Sequence, residues 1–260
     1  VKALAQIKGA GRLVVADQSN YWLGTVDSDW NKAGNWVSGV PTEALPGVIR
    51  KTGTYSVEVN ESPTAFAGDL TMKSASGLAT LAISAPIVFT NSTVEVGANA
   101  KISVAANGRL DYVSPTCAVD AYLDSFRIHD GGELASAGTV NATNLHGRII
   151  LEDGGKLTVT GGTFFAVPPL GTKNSSAIYA DNSFVTIKDA AVFTGNGCQD
   201  GTGKQKSDFY SGNGSVTEIG GTANLRLNQW FWGKVFGTGG HTVSDSAQVW
   251  GHKYIRGHFT

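Results

Sequence analysis

Charge is scarce in this chain of 260 residues, with Asp, Glu, Lys and Arg making up only 16% of it. Soluble domains usually carry about a quarter. With 20 basic and 21 acidic residues the net charge is −1, so neither nucleic acid nor an anionic membrane surface is expected as a partner. No apolar run reaches the length of a membrane-spanning helix. The longest weakly polar stretch, Leu78 to Phe89, is interrupted by Ser84 and Pro86, so membrane insertion is not expected. The five histidines (His129, His146, His241, His252 and His258) match no metal-ligand spacing. A nucleophile elbow, a phosphate-binding loop and a zinc ribbon are all missing, so no catalytic residue and no metal ligand is assigned. Methionine is nearly absent as well: the chain opens on Val1 and its one Met is Met72. A processed or excised polypeptide is therefore expected, most simply one that has lost a signal peptide and works outside the cell or on its surface. The two cysteines, Cys117 and Cys198, suit one disulfide in that setting.

What the chain has in abundance is glycine, 34 residues, together with Ser, Thr, Asn and Asp. A hydrophobic content of 41% is ample for a core, so the composition is that of an ordered, turn-rich β protein. Within it one phrase recurs: two apolar residues one apart, a tight small or polar turn, then a third apolar residue. Its clearest copies are Val94-x-Val96…Ile102, Phe126-x-Ile128…Leu134, Ile149-x-Leu151…Leu157 and Val185-x-Ile187…Phe193. Weaker copies, Met72…Leu78, Ile219…Leu225 and Val243…Val249, keep the same interval of six. Anchored on the second residue, the copies lie 24, 32, 23, 36, 32 and 24 positions apart. A fixed period in this range marks stacked repeats.

Alternation in Thr93-Val94-Glu95-Val96 and Ser125-Phe126-Arg127-Ile128 specifies short strands with one buried face. The strings between them, such as Asp130-Gly131-Gly132 and Asp153-Gly154-Gly155, bend the chain at low cost. Strand, bend and strand repeated in this way predict a right-handed parallel β-helix of about seven rungs, roughly 34 Å long at about 4.8 Å per rung. An antiparallel sandwich would share the alternation, but not the six-residue interval with Asp recurring at one turn position (Asp130, Asp153, Asp189 and Asp245). The predicted organisation is an N-terminal arm and Trp-rich cap over 1–50, then the β-helix over 51–260. Long loops are expected near 110–124, 160–180 and 195–212, at comparable places in the coil, where repeat proteins often carry their contacts.

The cap carries Trp30…Gly34-Asn35-Trp36…Gly39-Val40-Pro41-Thr42, followed by the alternating Tyr55-Ser56-Val57-Glu58-Val59. Over residues 22–72 this resembles the opening of secreted bacterial right-handed parallel β-helix proteins of the autotransporter-passenger or cell-surface type. The resemblance implies the same architecture and an extracellular place. It says little of activity, because such proteins include adhesins, scaffolds and glycan-active enzymes.

Candidate chemistry is thin. The Asp positions read as turn residues rather than cation ligands. The glycines of 195–201 do not fit a calcium-binding nonapeptide, so no cofactor is assigned and calcium is the one cation to consider. A lyase or hydrolase would need acids and bases to converge, and Asp200, Lys204, Lys206 and Asp208, with Asp181 and Lys188, are the group to examine. Cys117 and Cys198 sit three rungs apart, roughly 14 Å by stacking, so a bond would require their loops to lean together.

The ends of the coil carry more. No amphipathic capping helix is evident at either end, and unpaired strand edges invite pairing. The N-terminal arm is apolar at Leu4, Ile7, Leu13, Val14 and Val15, and the C-terminal end is aromatic at Trp230, Phe231, Trp232, Trp250, Tyr254 and Phe259. The expectation is an extracellular structural protein that self-assembles into a filament, sheath or surface layer through these two regions. The alternatives are a polysaccharide lyase or glycan-binding module acting on the long-loop face, and an adhesin fragment with a foreign ligand.

Overall fold

The computed structural model describes residues 19–64, 67–113, 126–144, 149–166, 178–195, 209–212, 214–227, 230–233, 240–251 and 254–256. Every pairing between its strands is parallel, and the strands fall into three sheets of ten, eight and seven, here sheets I, II and III. This is the parallel β-helix expected, and the sandwich is excluded. The coil opens with β1 (Asn20–Tyr21), β2 (Gly47–Ile49) and β3 (Tyr55–Val59). Seven complete rungs follow, each contributing one strand to sheets I, II and III in turn. They are β4 (Leu70–Met72), β5 (Ala79–Ile83) and β6 (Pro86–Thr90), then β7 (Val94–Val96), β8 (Ala100–Val104) and β9 (Arg109–Val113). Next come β10 (Phe126–Ile128), β11 (Glu133–Ser136) and β12 (Thr139–Asn144), then β13 (Ile149–Leu151), β14 (Lys156–Val159) and β15 (Thr163–Ala166). The last three are β16 (Ile178–Ala180), β17 (Phe184–Ile187) and β18 (Val192–Gly195); β19 (Phe209–Ser211), β20 (Val216–Ile219) and β21 (Asn224–Leu227); and β22 (Trp230–Gly233), β23 (His241–Val243) and β24 (Gln248–Gly251). A final strand, β25 (Tyr254–Arg256), completes sheet I.

Because parallel strands pair in register, each inward position stacks on its equivalent one rung away. In sheet I the column runs Leu70, Val94, Phe126, Ile149, Ile178 and Phe209. In sheet II it runs Val57, Leu81, Ile102, Leu134, Leu157 and Val185, and in sheet III Ile87, Leu110, Val140, Phe164, Phe193 and Leu225. All of these are buried. Each stabilises the coil by about 1.5–3 kcal/mol relative to an exposed side chain. Like stacks on like: the Phe164 and Phe193 rings lie 5.0 Å apart at 9°.

The structure refines the repeat in three ways. A rung has three strands, not two, so 110–113 and 163–166, inside the loops expected near 110–124 and 160–180, belong to β9 and β15, and 178–180 and 209–211, inside those expected near 160–180 and 195–212, form β16 and β19. The recurring phrase is also not one feature. From Met72 to Leu151 its second residue lies in sheet I, whereas Ile187, Ile219 and Val243 end strands of sheet II. The interval of 36 from Leu151 to Ile187 thus contains one rung and one extra corner. For the same reason the four aspartates do not form one column. Asp130 and Asp153 turn the chain from sheet I to II, and Asp189 and Asp245 turn it from sheet II to III. Their shared cause is local. All four take left-handed backbone (φ 51°, 49°, 58° and 60°), which Asp and Asn tolerate because a short polar side chain can bond locally.

At the first corner Gly132 and Gly155 serve another purpose. A Cβ on Gly155 would fall inside contact distance of the Ile128 carbonyl oxygen in the rung below, and one on Gly132 would meet that of Val96. Backbone passes directly over backbone there. Gly155→Ala is therefore expected to destabilise the coil by about 2 kcal/mol or more, read as a lower midpoint in urea unfolding.

Candidate functional site

The two ends of the coil are built differently, and the contrast begins with Asn35. This buried amide accepts from the backbone N–H groups of Val26 (2.9 Å) and Asp27 (3.2 Å) and donates to the Asp27 carboxylate (2.7 Å) and the Asp29 carbonyl (3.0 Å). It ties 26–35 into a compact lid. The lid's tryptophans enter the mouth of the core: Trp22, Trp30 and Trp36 are at most 4% exposed. Edge-to-face contacts at 5.0 and 4.9 Å link them, and Trp30 meets Phe89 of β6 at 6.3 Å. The lid also covers backbone. Trp30 N donates to Glu58 O and Glu58 N to Ser28 O, which closes the edge of sheet II at β3. Leu23 N donates to Asn35 O and Val37 N to Tyr21 O, so an antiparallel segment lies along β1. Over the described residues the N-terminal end is therefore covered without a capping helix: aromatic rings and one amide take its place. The Asp27 carboxyl is held below its ordinary range by the Asp29 amide and then by Asn35.

At the other end, β23 pairs with β20 and β24 with β21, and among the described residues neither has a partner on its far side. The hydrophobic columns are also less covered here among the described residues. Ile219 and Leu225 are buried, but Val243 and Val249, stacked on them, are only partly so, as is Ala247. The sheet II column turns polar on the way out, from Val185 to Thr217 and His241. Thr217 shares a 3.2 Å hydroxyl contact with Ser211 inside the coil. Burial holds the His241 imidazole below its ordinary range by disfavouring the charged ring.

Beside this end, along the corner from sheet II to III, lies a shallow cleft of about 240 Å³. The outward positions of β17, β20 and β23 supply Thr186, Glu218 and Thr242, and the corner turns supply Lys188, Asp189, Ser244 and Asp245. Asp245 is committed to the turn, accepting from Gly221 N at 2.9 Å and Ser244 Oγ at 3.2 Å. Lys188, Asp189 and Glu218 find no ion-pair partner among the described residues. Elsewhere the rungs are laced by pairs: Lys101–Glu133 at 3.1 Å, Arg127–Glu152, and His129 between Glu95 (3.0 Å) and Asp130 (2.9 Å). With three carboxylates against one lysine, the cleft is acidic.

The residues singled out in the sequence scatter over this frame. The aromatic group divides: Trp230, Phe231 and Trp232 belong to β22 in sheet I and Tyr254 to β25, while Trp250, 61% exposed, stands on the outer side of sheet III. Lys188 lines the cleft, but Asp181 sits at the opposite end of β17, so the two do not converge. Leu4, Ile7, Leu13, Val14, Val15, Phe259, Cys117, Cys198, Asp200, Lys204, Lys206 and Asp208 lie outside the described residues, as do His146, His252 and His258. The expected long loops follow β9, β15 and β18 of sheet III and precede β10, β16 and β19 of sheet I, and residues 114–125, 167–177 and 196–208 themselves lie outside the described residues. Just beyond two of them, Tyr179 and Tyr210 stack at 4.5 Å and 11° on the outer side of sheet I. Each ring covers one face of the other. Among the described residues no group of three or more His, Cys, Asp or Glu is arranged to hold a metal ion. Glu218 and Thr242 drew no notice in the sequence. Only the register that places them beside Thr186 gives them meaning. No protein-family model, curated protein or solved structure matches the chain.

The lowered imidazole affinity at His241 gives the C-terminal end a pH dependence of definite sign. A ring buried neutral contributes stability above about pH 6.5, and that contribution is lost as pH falls toward the depressed folded value. Protection factors for amide exchange at 241–243, each referred to the intrinsic rate at its own pH, should fall in mild acid relative to neutral pH while those of β11 and β14 hold. His241→Leu should abolish the difference.

Proposed function

We propose that this protein is an extracellular or cell-surface structural solenoid that self-associates through the C-terminal end of its coil. The observation that carries the reading is the asymmetry of the ends: rings and antiparallel backbone seal the first, whereas β23 and β24 offer backbone edges and half-covered Val243 and Val249. Exposed edges of this kind template pairing with another chain. The likeness of residues 22–72 to secreted bacterial β-helix proteins supports an extracellular place. The use of Asp130, Asp153, Asp189 and Asp245 for turning the chain supports a scaffold role. A filament, sheath or layer is the natural product, because head-to-tail contacts that do not close generate open assemblies.

Glycan binding is a second reading, favoured by the hydroxyls of Thr186 and Thr242 and the uncommitted Glu218 around one cleft. On that reading a foreign surface, not a second copy, would occupy it.

Sedimentation velocity across a dilution series, with electron microscopy of the same samples, decides the first reading. Mass should rise with concentration, and Val249→Lys should weaken association roughly tenfold or more without altering the circular dichroism of the monomer. A single monomeric species at every concentration would sink the proposal.

A further inference from the structure

Residues 5–15 carry one more copy of the phrase that builds the coil, resting on the assembly reading above. Ile7 and Leu13 stand six apart, as Ile219 and Leu225 do and as Val243 and Val249 do, with the small turn Lys8-Gly9-Ala10-Gly11 between them. Ala5-Gln6-Ile7 aligns with His241-Thr242-Val243, and Arg12-Leu13-Val14-Val15 with Gln248-Val249-Trp250-Gly251. Those two strands are the last of sheets II and III, and they flank the same corner. The arm thus has the sequence of two strands joined by one corner, a pair that the edges of β23 and β24 can accept together, whereas sheet I already runs one strand further there, to β25.

We infer that residues 5–15 of one copy add to β23 and β24 of a second copy as a donated partial rung. In that register Ile7 continues the column of Ile219 and Val243, and Leu13 that of Leu225 and Val249. Both half-covered valines gain an apolar neighbour, and both backbone edges gain a partner. Charge agrees. Residues 1–16 hold Lys2, Lys8 and Arg12 and no acidic residue, and Lys8 falls at the level of Ser244, next to Asp245 and the acidic cleft that Asp189 and Glu218 leave unneutralised.

Geometry requires a second copy. An added strand beyond β23 lies nine strand spacings from β1, about 43 Å. From Val15, the last residue of the donated rung, to Asn20 of β1 the chain advances only five residues, at most about 18 Å when fully extended, so the arm cannot reach its own C-terminal end. Its own N-terminal end is already occupied, with Ser28–Trp30 on the edge of sheet II. Each copy therefore gives an arm to one neighbour and receives one from another, a heterologous contact that propagates.

A photo-cross-linker placed at Ile7 in the full-length chain tests this by mass spectrometry. The expected product joins position 7 of one copy to the peptide spanning β23 of another, and the double variant Ile7→Lys, Leu13→Lys should weaken association roughly tenfold or more. Charge exchange is the second arm. Lys8→Glu and Asp245→Lys should each weaken assembly, and their combination in one chain should recover much of it. If the Ile7→Lys, Leu13→Lys chain assembles like the parent, the donated rung is wrong while self-association through the C-terminal end stands. If the parent stays monomeric throughout, both fail. Cross-links to the outer side of sheet I or to the same copy would also overturn the donated rung.

Discussion

Register is the constraint on which everything else here depends. Strands that pair in parallel at about 4.8 Å place equivalent residues directly over one another, rung after rung. An inward position is then apolar in most rungs, polar ones being confined to a few sites such as Ser211 and Thr217, and a corner bends the same way each time. The columns through Leu81, Ile102 and Leu134 and through Phe164 and Phe193 follow from this, and so does the repeated left-handed backbone at Asp130 and Asp153. The rule extends to the outer surface, where Lys101 meets Glu133 of the next rung because register leaves them side by side. Exposed pairs of this kind add little individually, and they mainly keep the lateral faces polar and unsuited to sheet pairing.

A stack held by register has no internal reason to stop, so its ends must be settled separately. The first end is settled by three tryptophans and Asn35, which bury rings in the mouth of the core while an antiparallel segment satisfies the edge of β1. At the last end the columns turn polar at Thr217 and His241 in sheet II yet stay apolar at Val243 and Val249. That mixture suits a surface that meets water in one state and a partner in another. The acidic cleft beside it stands out because its neighbours along the coil are charge-paired and it is not.

The fold was legible in the sequence to the extent that it depends on short-range pattern. Alternation gave Val94-x-Val96 and Ile149-x-Leu151 as strands, and Asp-Gly strings gave the bends. The third strand of each rung was less visible: Leu110 and Tyr112 lie in a stretch that a long insertion seemed to account for equally well. The switch of corner between Leu151 and Ile187 was invisible, because both corners use a six-residue interval and aspartate in left-handed backbone. Local physics is the same at both, so local sequence cannot tell them apart.

The sequence by itself determined that the chain would be a parallel coil with an irregular opening, since period, turn chemistry and scarcity of charge are properties of neighbours along the chain. Tertiary structure alone decided which residues share a column, that Thr186, Glu218 and Thr242 line one cleft, and that, among the described residues, one end is covered while the other keeps unpaired strand edges. The columns and the cleft join residues more than twenty positions apart, and the register that joins them belongs to the whole stack and to no single rung.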